Sequence, residues 1–87
     1  MHKLNSAQRA TLEEIFANPT SSRIQWARVK SLLQALGAEV VQGRGSRIKF
    51  FLGDGVIRVH EPHEKDTPKW MIEGIREFLE FRGIIPK

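Results

Sequence analysis

At 87 residues with no cysteine, the chain has room for one hydrophobic core and none for disulfides, thiol chemistry or a cysteine-ligated metal. It has no run of about 18 apolar residues, the length a membrane-spanning helix needs, and its Met1-His2-Lys3-Leu4-Asn5-Ser6 start lacks the apolar stretch of a signal peptide. The expectation is a single cytoplasmic domain over residues 1–87 with no membrane contact, of modest stability because so short a chain buries only about 60–65% of its unfolded surface. The formal net charge is +4. Residues 15–58 carry seven basic side chains against Glu39 and Asp54, whereas residues 59–87 carry five basic against six acidic. Positive charge clustered in this way favours a polyanion, through phosphate neutralisation and counterion release.

Asn5 followed by Gln8 has the spacing of a helix-start box, and Leu12, Ile15 and Phe16 then share one helical face. Asn18-Pro19-Thr20-Ser21-Ser22 ends that helix. A second helix begins at about Trp26. Val29, Leu32, Leu33 and Leu36 keep helical spacing, Arg28 and Lys30 fall on the polar side, and Gly37 sits where a C-terminal cap belongs. The period then changes. Ala38 to Gln42 reads as a strand, Gly43-Arg44-Gly45 as a turn, Ser46 to Leu52 as an alternating second strand and Val56 to His60 as a third. Glu61 to Lys69 is a polar loop. A final helix covers about Trp70 to Arg82, with Met71, Ile72, Ile75, Phe78 and Leu79 as its buried stripe and Gly83 ending it. His2 reads as part of a disordered terminus. Trp26 and Trp70 stand beside two helix starts and read as core edge, with partner binding as the lesser reading.

The fold class is therefore α+β, in the order α-α-β-β-β-α, a three-stranded antiparallel sheet packed on helices. All three helices are expected to use the sheet's inner face as their apolar partner, which leaves the other face open. Asp54-Gly55 is a two-residue hairpin signal. With those two as the loop, Leu52 faces Ile57, Phe51 faces Arg58, Phe50 faces Val59 and Lys49 faces His60. Ile48, Phe50, Leu52, Ile57 and Val59 then gather on the inner face, and Arg47, Lys49, Phe51, Arg58 and His60 on the outer. Both strands sort apolar from polar at once. The facing of Val40 and Val41 stays open, because the first turn is ambiguous by one residue.

That outer face is the first candidate site. Its cations suit phosphates, Phe51 suits stacking on a base, and adjacent cations repel when no ligand is present. His60-Glu61-Pro62-His63 is the second. Two loop histidines without a third ligand argue for no metal, whereas a histidine suits proton transfer at an RNA 2′-hydroxyl. No phosphate-cradling glycine loop, nucleophile elbow or cofactor motif is present.

From Leu32-Leu33-Gln34-Ala35-Leu36-Gly37-Ala38-Glu39-Val40 through Gly43-Arg44-Gly45-Ser46, the chain resembles the HicA family of toxins from bacterial toxin–antitoxin pairs. The likeness runs on through the hairpin, the loop at His60 to His63 and Ile75-Arg76-Glu77-Phe78-Leu79-Glu80 with Gly83, covering residues 26–85. Ala7 to Phe16 and Ile24-Gln25-Trp26 resemble a longer subgroup of that family. The resemblance implies a fold like a double-stranded-RNA-binding domain. It also implies messenger-RNA cleavage without metal or cofactor, and inhibition by a HicB-type antitoxin. The family's active histidine follows a Gly-Ser pair on the second strand; here Gly45-Ser46 is followed by Arg47. The family often carries His-Pro-Gly after the third strand; here His63 is followed by Glu64-Lys65.

The leading reading is an RNA-binding, HicA-like toxin. Arg44, Ser46, Arg47, Lys49, Phe51 and Arg58 contact RNA, and His60, then His63, are the candidates for proton transfer in a metal-independent endoribonuclease (mRNA interferase). The alternatives are a non-catalytic RNA-binding module and a protein-interaction domain whose basic face takes an acidic partner.

Overall fold

A computed structural model describes residues 3–86; His2 lies outside the described residues. The elements run α1 (Ser6–Ile15), α2 (Trp26–Ala35), β1 (Glu39–Gln42), β2 (Arg47–Leu52), β3 (Gly55–His60) and α3 (Lys69–Phe81). The α+β order α-α-β-β-β-α is the one the sequence predicts.

Local chemistry sets the helix ends. At α1 the Asn5 side chain accepts from the Gln8 N–H at 2.8 Å, and the Gln8 side chain accepts from the Asn5 N–H at 3.0 Å, a reciprocal capping box. Gly37 (φ 99°) and Gly83 (φ 74°) end α2 and α3 in the left-handed region that favours glycine. After each, the next N–H reaches back to an orphan carbonyl: Ala38 to Leu33 at 3.0 Å and Ile84 to Leu79 at 2.9 Å. This is the Schellman arrangement at both ends.

The sheet order is β1-β2-β3, antiparallel throughout. One expectation needs correction. The hairpin loop is Gly53-Asp54, not Asp54-Gly55, so Leu52 faces Gly55, Phe51 faces Val56, Phe50 faces Ile57, Lys49 faces Arg58 and Arg47 faces His60. Gly53 has φ +61° and, among the described residues, no non-glycine residue has positive φ, which matches a hairpin turn with glycine first. The true pairing differs from the expected one by two residues. Because side chains alternate with period two, every residue keeps its face. Ile48, Phe50 and Leu52 are buried, Ile57 and Val59 half-buried, while Arg47, Lys49, Phe51, Arg58 and His60 are exposed. The β1 register places Val40 opposite Phe50 on the inner face and Val41 opposite Lys49 on the outer.

One core joins the elements: Leu12, Ile15, Ile24, Val29, Leu32 and Leu33 from α1, α2 and the segment between them, Ile48 and Phe50 from the sheet, and Met71, Ile72, Ile75 and Leu79 from α3. Trp26 meets Phe50 edge-on, with ring centroids 5.9 Å apart. The helix α1 packs mainly on α2 and α3, not on the sheet, contrary to expectation. Arg76 of α3 secures it there, donating from Nε to the Ile15 carbonyl at 2.9 Å and from Nη2 to Thr20 Oγ1 at 2.7 Å. These bonds occupy a carbonyl that the helix end leaves free. Arg28 adds an ion pair to Glu14 at 2.8 Å. At the far end of α3, Arg82 lies over the Phe78 ring at 3.8 Å and reaches Asp54 of the hairpin turn at 3.8 Å. Trp70 does not sit at the core edge: it is 66% exposed.

The polar loop after β3 is tied down by contacts the sequence pattern does not reveal. Gln25 and Asp66 form an antiparallel bridge, Trp26 N–H donates to the Lys65 carbonyl at 2.9 Å, and Thr67 N–H donates to the Ile24 carbonyl at 2.8 Å.

Candidate nucleic-acid interface

The outer sheet face is flanked at one end by the β1–β2 turn. Gly43 N–H donates to the Arg47 carbonyl at 2.8 Å and Arg47 N–H to the Arg44 carbonyl at 3.1 Å, with Gly45 at φ +61°. This tight turn brings Arg44 back beside Arg47. A groove of about 560 Å³ opens there, lined by Val41, Gly43, Arg44, Arg47, Lys49, Arg58 and His60, with the strand segments at Ile48 and Val59.

Four of the expected phosphate contacts, Arg44, Arg47, Lys49 and Arg58, thus meet in one concavity with His60. Lys49 and Arg58 are direct cross-strand partners, and Arg47 stands opposite His60. The expected pairing of His60 with Lys49 is therefore corrected to Arg47. Among the described residues, no carboxylate lies within ion-pairing distance of any of these four cations. Of the other three basic residues between 15 and 58, Arg28 is paired with Glu14 and Lys30 with Glu61 at 3.1 Å, while Arg23 has no ion pair among the described residues.

Ser46 adjoins the groove through its hydroxyl, 3.5 Å from His60 Nδ1, at the limit of hydrogen bonding. Phe51 is on the same face and 40% exposed, but it sits two residues along β2 beside Glu39 and Val56 and does not line the groove. His63 is exposed in the following loop and is not part of the lining either. Among the described residues, no group of three His, Cys, Asp or Glu side chains is placed to hold a metal.

Behind the groove stands a residue that sequence reading passed over. Glu61 follows His60, and its N–H donates to the Ser46 carbonyl at 2.7 Å, extending the strand ladder by one rung. Its carboxylate turns to the helix side, accepting from Trp26 Nε1 at 2.9 Å and from Lys30 Nζ at 3.1 Å. The hydrogen bond from Trp26, then that from Lys30, hold the Glu61 carboxyl below the usual range, against the opposing effect of burial. This network clamps the start of β2 and the end of β3 to α2, and so fixes the backbone that carries Ser46 and His60. Only the alternation of strand β3 hinted at it, since Glu61 falls on the inward parity where an acid is out of place.

Fold and site together describe a small α+β protein with an open, cationic sheet face. Over residues 26–80 the chain matches the family described as HicA toxin of bacterial toxin-antitoxin. It belongs to that family and is a toxin of the toxin–antitoxin type. No curated protein and no solved structure matches it.

Proposed function

We propose that the chain binds RNA in the groove of its outer sheet face and acts on messenger RNA as a metal-independent endoribonuclease. The observation that carries this reading is the cation cluster. Arg44, Arg47, Lys49 and Arg58 converge without a carboxylate partner among the described residues, and two of them are directly opposed across strands. Like charges placed so destabilise a sheet, and a phosphate backbone relieves the repulsion. Membership of the toxin family supports the same reading.

In the cleavage step, His60 takes the proton of a 2′-hydroxyl. The 2′-oxygen attacks the adjacent phosphorus, the P–O5′ bond breaks, and the departing 5′-oxygen is protonated by the imidazolium or by water. The surrounding cations stabilise the charge that grows on the phosphoryl oxygens. Ser46, beside Nδ1, orients the ring; His63 is the second candidate for proton transfer. Arg47 stands where the HicA resemblance expects the family's histidine, so binding rests on more of these residues than cleavage does. A cognate HicB-type antitoxin fits the same unpaired cations with an acidic segment.

The test is direct. RNA binding should weaken steeply with salt, and RNA cleavage in chelator-containing buffer should vanish in His60→Ala. No binding at low salt overturns the RNA reading; unchanged cleavage removes His60 from the mechanism. Finding a small HicB-like reading frame beside this gene would support the antitoxin assignment.

A further inference from the structure

The opposite pole of the molecule carries a second surface. In α3, Trp70, Gly74, Glu77 and Phe81 follow one another at spacings of four, three and four residues. That is the spacing of a coiled-coil seam and keeps all four on one stripe, turned away from the buried Met71, Ile72, Ile75 and Leu79. Trp70 is 66% and Phe81 86% exposed. Gly74 between them has open space where a side chain would stand. The stripe runs about 16 Å along the helix. Glu73, which accepts from Thr20 Oγ1 at 3.1 Å, and Glu80 lie beside Glu77 along one edge of the stripe, so the surface is aromatic at both ends and acidic along one side.

Single exposed apolar residues need no explanation, but aligned aromatics on an otherwise charged helix form a patch. Its acids decide what can cover it. Two copies of α3 facing each other would set Glu73, Glu77 and Glu80 against their own counterparts. The complementary surface is on the same chain: the outer sheet face offers Arg47, Lys49 and Arg58 beside the exposed apolar Val41 (42%) and Phe51 (40%), with one acid, Glu39, at its far edge opposite Phe51. Three strands of up to six residues make a platform about 20 Å long and 10 Å across, wide enough to seat one helix.

We infer that a second copy of this chain docks its α3 stripe onto the sheet face of the first, one aromatic end against the apolar spot that the diagonal neighbours Val41 and Phe51 form and the glutamates against the cations. The contact is heterologous, so each copy retains one free face and assembly continues head to tail. It also covers the groove, and this regulatory consequence rests on the RNA-binding reading: assembled copies would be closed to RNA, and RNA would disperse them.

Sedimentation velocity on the intact chain tests the inference. At low salt the wild type should sediment faster as concentration rises from micromolar to millimolar, and added salt should reduce the effect. Glu77→Lys/Glu80→Lys, with both faces basic, should stay monomeric, as should Lys49→Glu/Arg58→Glu, with both faces acidic. An equimolar mixture of the two variants should associate again, because each supplies the other's complement. Trp70→Ala, which leaves every charge in place, should also weaken association. A wild type that stays monomeric throughout overturns the inference, as does association that persists in the Glu77→Lys/Glu80→Lys variant or a mixture no larger than its components. RNA binding is judged separately on Glu77→Lys/Glu80→Lys, whose sheet face is intact: loss there would strike the RNA reading and leave the self-docking result standing.

Discussion

The two faces of β2 come from alternate residues of one six-residue strand, yet they obey different rules. Ile48, Phe50 and Leu52 point inward and are almost wholly buried, with Phe50 at 1% exposure against the Trp26 ring. Arg47, Lys49 and Phe51 point outward, exposed, into a field of like charges. Packing accounts for every inner residue. Nothing in the fold accounts for the outer ones, since exchanging them for neutral polar residues would ease repulsion and leave the core untouched. The inner face serves folding; the outer face carries a small cost to folding, which fits the binding role proposed for it.

Substitutions can break that contrast. Phe50→Ala should cost about 3–5 kcal/mol in denaturant unfolding, because it opens a cavity at the centre of the core. A loss below about 1 kcal/mol would mean the inner face is not the structural one. Glu61→Gln should cost about 1 kcal/mol near neutral pH, since it keeps an acceptor for Trp26 but gives up the charged partner of Lys30. The Glu61 carboxyl is held below its ordinary range in the folded state. Its contribution is therefore present above the unfolded carboxylate pKa and is lost as pH falls through the lower, folded value. The gap between wild type and Glu61→Gln should accordingly close on acidification; a gap that widens would reverse the assignment. Arg58→Glu should have the smallest effect on stability and the opposite sign. A cross-strand pair with Lys49 replaces a repulsion, for a gain of about 0.2–1 kcal/mol. The same change should weaken RNA binding and flatten its salt dependence, the logarithmic slope falling by at least about 0.7 for the phosphate contact removed.

The helices and the sorting of the sheet were legible because their signals are local and repeated. Asn5 with Gln8, the stripe from Val29 to Leu36, and Gly37 and Gly83 each specify a short piece of backbone without distant help. The hairpin register was misread because Gly53-Asp54 and Asp54-Gly55 are overlapping turn signals and both preserve the alternation. Only Gly53 taking the positive φ decides between them. Trp70 was misassigned although the helical phase was available: it lies half a turn away from Leu79, whereas Trp26 shares the stripe of Val29 and Leu33. The pairing of Ile24 to Trp26 with Lys65 to Thr67 joins two irregular segments and leaves no period to read. Of the site, Arg47, Lys49, Arg58 and His60 follow from alternation alone. The groove does not, because it depends on how the Arg44 turn folds back and on the β1 register that brings in Val41.

Arg76 bears on where this protein can be divided. The family match begins at residue 26, yet the guanidinium of Arg76, inside the matched span, hydrogen-bonds to Ile15 and Thr20 outside it, and Leu12 and Ile15 fill the common core. The segment that is recognised is thus smaller than the segment that folds. A chain cut at residue 26 would retain the family signature while baring an apolar floor on α2 and α3 and leaving an arginine without its acceptors. Borders drawn by kinship and borders drawn by cooperativity do not coincide in this molecule, and the second kind governs what can be expressed alone.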